Sequence, residues 1–249
     1  MSFKARLAAG ELVIGCFVKT PHPVVVEVLG LSELDCLVLD AEHAPFDRAT
    51  LDVAILAARA AGMPVLVRPP TATPEHILNA LDLGASGVLL PHLRSAAEAK
   101  AAVRACFHGP GGRGYAGSSR AAGYTARGMA GVRADARDVV VIAQIEDVEA
   151  LAEIDAIAAV EGIDALFIGR ADLTVALGAE NSDEPVVIEA VRAICRAGAK
   201  AGRTTGMFLA RNSDVGDWRK QGVSLFLLSS DHDFLLKGAA ALVGEARRS

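Results

Sequence analysis

The sequence holds only four cysteines, Cys16, Cys36, Cys106 and Cys195, scattered and without a C-x-x-C pair. This excludes a disulfide framework, a thiol redox couple and a cysteine zinc set. The first two lie inside apolar, strand-like runs and read as buried thiols, which suits a reducing cytoplasm. A Walker A loop, an H-E-x-x-H helix and a G-x-S-x-G elbow are also missing, which removes nucleotide hydrolysis, zincin chemistry and the serine-hydrolase mechanism. There is no block of like charges, and the formal net charge is -5, so neither a nucleic-acid surface nor a charged arm is expected. No apolar run approaches membrane-spanning length, and Glu11 interrupts the apolar stretch that a signal peptide would need. A soluble, unprocessed chain acting on small metabolites is the expectation. Gly112-Arg113-Gly114-Tyr115-Ala116-Gly117 matches the dinucleotide G-x-G-x-x-G spacing, but a helix end and Pro110 precede it and a serine-arginine-glycine loop follows. It therefore lacks the strand before and the helix after that such a site requires, and no nucleotide is expected.

What is present is a large apolar fraction, 52% of 249 residues, enough for one barrel-sized core. Short apolar runs alternate with helical patterns. Expected strands are Leu12 to Val18, Cys36 to Asp40, Pro64 to Arg68, Gly87 to Leu90, Val139 to Ile145, Ala165 to Ile168, Thr204 to Leu209 and Ser224 to Leu228. Between them lie helices that include Pro23 to Leu29, Ala49 to Ala60, one N-capped by Thr73 and one opened by a capping box of Ser95 and Glu98. Val148 to Ile157, Val186 to Ala201, Asp214 to Gln221 and Asp231 to Arg247 follow later in the chain. Eight strands alternating with helices predict an α/β fold, a single (β/α)8 TIM barrel over residues 1–249. The run 107–136, rich in glycine and arginine and without an apolar period, reads as a long functional loop excursion.

The stretch Val38-Leu39-Asp40-Ala41-Glu42-His43-Ala44-Pro45 ends an apolar strand in three ionisable side chains. Arg68 ends the third strand, Gln144 and Glu146 the fifth, and Asp172 follows the sixth. All would face the C-terminal rim, where barrels of this kind carry their chemistry. Glu146 and Asp172 could give two carboxylates to a hard divalent cation, or could simply cap the helices that follow. His43 suits a general base near neutral pH or a surface ion pair. Arg68 could hold an oxyanion at the barrel mouth, or pair with Asp40 or Glu42.

The motifs Leu39-Asp40-Ala41-Glu42-His43-Ala44-Pro45, Val67-Arg68-Pro69, Arg113-Gly114, Gln144-Ile145-Glu146 and Phe167-Ile168-Gly169-Arg170-Ala171-Asp172-Leu173 occur in an order that resembles the HpcH/HpaI aldolase family. That resemblance covers nearly the whole chain. It implies a class II, metal-dependent pyruvate aldolase of the 2-keto-3-deoxy sugar acid or 4-hydroxy-2-oxo-heptanedioate type. It also implies Glu146 and Asp172 as ligands of Mg²⁺, Mn²⁺ or Co²⁺, and backbone N–H groups of Gly169, Ala171 and Asp172 as holders of the substrate carboxylate. Arg68 matches the arginine at the keto or enolate oxygen, and Gln144 a residue lining that pocket. His43 matches the catalytic histidine, Asp82 its paired carboxylate, and Asp40 belongs to the same catalytic group. A trimer of dimers is implied, with the loop from Arg113 to Tyr124 near a neighbouring subunit's site. Three departures from the family pattern stand out: Arg170 replaces a common proline and adds a cation beside the metal loop, Lys19-Thr20-Pro21-His22-Pro23 differs from the usual small polar loop after the first strand, and Phe208 is bulkier than the aliphatic residue expected near the end of the seventh strand.

The resulting expectation is reversible addition of a pyruvate or hydroxypyruvate enolate to an aldehyde, with no Schiff-base lysine, Lys19 being the nearest candidate. The rivals are a citramalyl- or malyl-CoA-type lyase on the same barrel and a non-catalytic 2-oxo-acid-binding barrel.

Overall fold

The structure is a computed structural model and describes residues 1–248. Eight parallel strands close on themselves in the order β1 to β8. These are Val13–Val18, Cys36–Asp40, Val65–Arg68, Gly87–Leu90, Val140–Ile145, Ala165–Ile168, Thr204–Leu209 and Val223–Ser230, and closure is made by β1 against β8, with Val13 opposite Leu225. Closure leaves no strand edge unpaired. The expected (β/α)8 TIM barrel is therefore the observed fold.

Strand parity sorts the residues into two apolar layers. Val13 and Phe17, Cys36 and Val38, Leu66, Leu89, Val140 and Ile142, Ala165 and Phe167, and Leu225 and Leu227 form the barrel interior. Their strand neighbours, such as Leu37, Leu39, Val67, Val88, Leu90, Val141, Ala143 and Ile145, face the surrounding helices. Period-two alternation explains this directly, and both sides are apolar because helices cover the outside.

Twelve helices surround or close the barrel: α1 (Phe3–Ala8), α2 (Pro23–Gly30), α3 (Arg48–Ala60), α4 (Pro74–Asp82), α5 (Ala96–Cys106), α6 (Met129–Asp135), α7 (Val148–Ala152), α8 (Ile154–Ala158), α9 (Arg170–Ala176), α10 (Pro185–Ala201), α11 (Val215–Lys220) and α12 (Asp231–Ala246). Several differ from the sequence expectation. Helix α1 lies where the sequence pattern suggests no element. It is short, but it buries Leu7 in the inner layer and is tied down by Thr204 Oγ1 donating to Leu7 O at 2.6 Å. The single helix expected from Val148 to Ile157 breaks at Glu153, whose carboxylate is spent accepting from Ala96 N–H at the start of α5, 2.9 Å away. The Thr73 hydroxyl makes no capping bond; it engages His76 Nδ1 at 3.2 Å instead. Ser95 caps α5 as expected, but Glu98 accepts from Arg94 N–H rather than closing the box.

The excursion is not structureless, since it contains α6 and a bridge between His108 and Arg113. Helix α12 is pinned at its start, where the Asp231 carboxylate accepts from Lys19 N–H at 2.7 Å and Thr20 N–H at 3.0 Å. Beyond that point Leu235, Leu236 and Leu242 are 66%, 73% and 70% exposed, so an apolar helix stands off the barrel it was expected to cover. All four cysteines are free and buried. Among the described residues no helix is long and apolar enough to cross a membrane.

Candidate active site

The inward parity that carries Cys36 and Val38 into the barrel makes Asp40 the next inward residue of β2, and Arg68 is its register partner on β3. On β5 the same parity runs Val140, Ile142, Gln144 and then Glu146 just beyond the strand. The strand-end residues singled out in the sequence thus share one rim for a geometric reason.

Asp40 is fully buried and receives a two-point contact from Arg68, Nε to Oδ1 at 3.0 Å and Nη2 to Oδ2 at 2.8 Å. Lys19 Nζ stands 3.2 Å from the same carboxylate, so the lysine considered for a Schiff base is held as its counter-ion. His43 N–H donates to Asp40 Oδ1 at 3.1 Å and fixes the turn after β2. Burial works to raise the Asp40 carboxyl, but these charged partners hold it below the usual carboxylate range. Arg68 also lies 3.3 Å from Glu42 Oε2 and stacks its guanidinium 4.5 Å over the Phe17 ring. The salt-bridge reading of Arg68 is therefore realised with both carboxylates, while Nη1 is left unengaged and not buried.

Glu146 is buried, and its carboxylate does not cap α7. Oε1 accepts from His92 N–H at 2.9 Å, and Oε2 accepts from Gln144 Nε2. Gln144 Oε1 is buried without a partner. Gly169 leaves room for this carboxylate: a Cβ there would lie 2.7 Å from Glu146 Cβ and 2.9 Å from Oε2. Glycine is required at that approach.

His92 is absent from the sequence candidates, yet it joins the site. It follows β4 through Pro91, in the left-handed region at φ 53°, a conformation rare for non-glycine residues. Its Nε2 is 3.3 Å from Glu42 Oε1; its Nδ1 is 3.0 Å from Asp147 Oδ2 and 3.3 Å from Glu146 Oε1. Partial burial lowers the His92 pKa, but Asp147, Glu146 and Glu42 outweigh it, and the net direction is upward. The sequence signal is the ending Leu89-Leu90-Pro91-His92, another polar residue just past an apolar strand. Glu42, to which the sequence assigns no role beyond a partner for Arg68, sits between Arg68, His43 and His92. Desolvation and the nearby Glu146 raise its pKa, against the pull of Arg68 and the histidines. Its Oε2 is buried without a hydrogen-bond partner.

Glu42, His92 and Glu146 can each offer a donor atom with all three inside 4.8 Å of one another. Two carboxylates and an imidazole, with Glu42 Oε2 buried and held only by longer ion-pair contacts to Arg68 and His43, form a donor set that fits a divalent cation. Asp172 is not part of that group. It occupies the first turn of α9 with an exposed side chain, on the Gly169 side of Glu146.

The remaining expected residues are distributed differently. Asp82 does not contact His43. Its carboxylate is 3.9 Å from the buried Arg113 Nε at the root of the excursion, and desolvation raises its pKa against the pull of that arginine. His43 instead faces Glu42 Oε2 at 3.4 Å and is exposed. The pairing of His43 with Asp82 is thus not made within one chain, because α4 carries Asp82 at its last position and Arg113 captures it there. Arg170 does not place its charge at the rim: Nη2 donates to Ser182 O at 2.6 Å and Asp183 Oδ1 at 2.9 Å, and the guanidinium lies 5.2 Å over Trp218. Gly169 N–H is occupied by Ile145 O at 3.0 Å, whereas Ala171 and Asp172 lie in the first turn of α9, where amides have no intrahelical acceptor. Phe208 packs on Phe17 with ring centroids 6.0 Å apart, forming an apolar wall beside Arg68.

A family model described as HpcH/HpaI aldolase/citrate lyase matches residues 13–237. The chain belongs to that family. It is an enzyme of the carbon–carbon lyase type, as its relatives named aldolase are. It is 35% identical over 236 residues to 5-keto-4-deoxy-D-glucarate aldolase of Escherichia coli (strain K12 / DH10B), covering 92% of this chain and 90% of the relative. An HpcH/HpaI aldolase/citrate lyase family protein from Burkholderia cenocepacia J2315 superposes with a TM-score of 0.93 at 31% identity, covering 98% of each chain. The citrate synthase SbnG superposes with a TM-score of 0.88 at 30% identity, covering 99% of this chain and 98% of the other.

Proposed function

We propose that this enzyme is a divalent-metal-dependent aldolase that forms the enolate of pyruvate, or of hydroxypyruvate, and adds it reversibly to an aldehyde. The observation that carries this reading is the buried Glu146 carboxylate converging with Glu42 and His92 on the rim that also holds the Arg68 guanidinium. Glu146 and Asp172 are the proposed metal ligands. A divalent cation held there supplies Lewis-acid stabilisation of the enolate charge. Arg68, oriented by Asp40, donates from its unengaged Nη1 to the keto oxygen as negative charge develops on it, and Gln144 lines that pocket. The free first-turn amides of Ala171 and Asp172, with Gly169 allowing close approach, hold the substrate carboxylate. His43 moves the proton at the substrate methyl carbon. Phe208 and Phe17 screen the reacting carbon from water.

Asp82 and Arg113 enter the proposal through assembly. The exposed apolar face of α12 and the excursion at 107–136 both call for a second copy, and a trimer of dimers is the proposed state, in which Asp82 of one subunit serves His43 of another. The likeness to a citrate synthase favours one second reading, carbon–carbon bond formation or cleavage with a citrate-like acid or its acyl-CoA. The deciding experiment assays pyruvate plus aldehyde on chelator-treated protein, with Mg²⁺, Mn²⁺ or Co²⁺ restored. Aldol activity lost on chelation and regained with metal is expected. A substrate–lysine adduct trapped by borohydride, or turnover of citrate-type acids alone, overturns the reading.

A further inference from the structure

Asp231 is a buried charge that the proposed chemistry leaves unused, 3% exposed at the first position of α12. Its place is set by an irregularity at the end of β8. Gly15 of β1 lies opposite Leu227, but Phe17 lies opposite Ser230, so two steps along β1 match three along β8. Such a bulge re-aims the residues beyond it. Ser229, inside it, takes a left-handed φ of 67° that costs a non-glycine residue energy. Asp231, just past the bulge, meets the turn that leaves β1 and takes two consecutive amides of it. Oδ1 accepts from Lys19 N–H at 2.7 Å and Oδ2 from Thr20 N–H at 3.0 Å. Both oxygens must be acceptors, so a carboxylate fits this position and a carboxamide does not. The Lys19 ammonium does not turn back on Asp231. It reaches Asp40 Oδ2 at 3.2 Å, the same oxygen that accepts from Arg68 Nη2 at 2.8 Å.

The charges explain what this arrangement accomplishes. Arg68 faces two carboxylates, Asp40 and Glu42. Alone with them it would present net negative charge to a keto oxygen that itself becomes negative, which opposes the reaction. Lys19 offsets one of the two carboxylates and leaves the guanidinium charge for the substrate. A flexible four-carbon stem does not fix an ammonium by itself, so the backbone it starts from has to be held. We propose that Asp231 is a positioning residue for this reaction: its carboxylate clasps the Lys19 and Thr20 amides and so sets the Lys19 ammonium against Asp40, leaving the charge of Arg68 free for the substrate oxygen. The proposal rests on the role given to Arg68 above and extends it to the groups that tune that arginine.

The test is a double-substitution cycle on the metal-loaded whole protein, with pyruvate and an aldehyde as substrates. Asp231→Asn and Lys19→Met should each lower kcat roughly tenfold and change KM little, because the charge being answered develops in the transition state. The double variant should be no worse than Lys19→Met, and Lys19→Arg should recover most of the rate. Losses that multiply in the double variant overturn the proposal, since a merely structural carboxylate would act independently of Lys19. Wild-type kcat in Lys19→Met overturns it too, whether or not Asp231→Asn folds. A readout independent of turnover is the rate at which an amine-reactive ester acetylates Lys19, followed by mass spectrometry against the exposed Lys200 and Lys220. That rate should rise in Asp231→Asn to the value found in Asp40→Asn, and an unchanged rate overturns the proposal. Wild type without metal-dependent aldol turnover overturns the functional reading instead, and the acetylation rates still decide whether Asp231 places Lys19.

Discussion

At the N-terminal end of the barrel the inward positions are Val13, Cys36, Leu66, Val140 and Ala165, and α1 closes them off with Leu7 1% exposed. At the C-terminal end the same strands, read in the same parity, present Asp40, Arg68, Gln144 and Glu146. The two ends differ in what satisfies each strand's last groups. Below, apolar side chains pack and one helix suffices as a plug. Above, each buried charge is answered by another side chain, so the rim is a network in which no member can be removed alone without leaving a partner uncompensated. Apolar packing is concentrated at one end and buried, paired charge at the other.

The largest effects should come from cutting the network at Glu146. Glu146→Ala is expected to abolish both aldol exchange and oxaloacetate decarboxylation, since each needs the enolate charge held. His43→Ala should lower aldol exchange about 10²-fold while decarboxylation, which abstracts no carbon-bound proton, largely survives. Both rates measured for both variants at saturating metal give the answer, and equal loss in His43→Ala removes its role as base.

Arg68 comes next. From sequence it could hold an oxyanion or pair with Asp40 or Glu42, and the structure makes it the two-point partner of a fully buried Asp40. Arg68→Ala should therefore cost roughly 3–5 kcal/mol of stability on top of a turnover loss. Arg68→Lys keeps a cation but loses the fork. It should stay folded and lose roughly 10²-fold in turnover, read by denaturant melts beside kinetics. Melts unchanged in Arg68→Ala would show that Lys19 alone satisfies Asp40.

At the opposite end, Leu7→Ala should cost about 2–5 kcal/mol of stability and leave kcat unchanged under folding conditions. A kcat that falls in parallel would break the separation of the two ends.

The smallest effect is in acid. Because the folded pKa of Asp40 lies below its unfolded value, the stability it contributes is complete above the usual carboxylate range, near pH 4, and is lost as pH falls through the lower folded value. The stability gap between wild type and Asp40→Asn should therefore narrow from about pH 5 to about pH 2 in denaturant melts. A gap independent of pH would mean that the Asp40→Asn variant is destabilised by packing alone.

Strand existence and order were legible because short apolar runs between turn signals admit few alternatives, and Asp40, Arg68, Gln144 and Glu146 could be placed on one rim because period two fixes which face each strand residue takes. Helix α1 was not legible: six residues carry too little periodicity to register, and the helix exists because Leu7 and Phe3 find the barrel floor. The break at Glu153 is likewise tertiary, made by a capping bond to a helix over fifty residues earlier in the chain.

The sequence by itself determined the barrel, its inward polar residues and its family membership, since these follow from local pattern and from motifs in order. Only the tertiary structure decided the partners. It gave Asp82 to Arg113, turned Arg170 toward Asp183 and Trp218, tied Lys19 to Asp40 and brought His92 against Glu42 and Glu146. Charge pairing depends on distances of a few ångströms between side chains from different strands and loops, and no spacing along one chain encodes those distances.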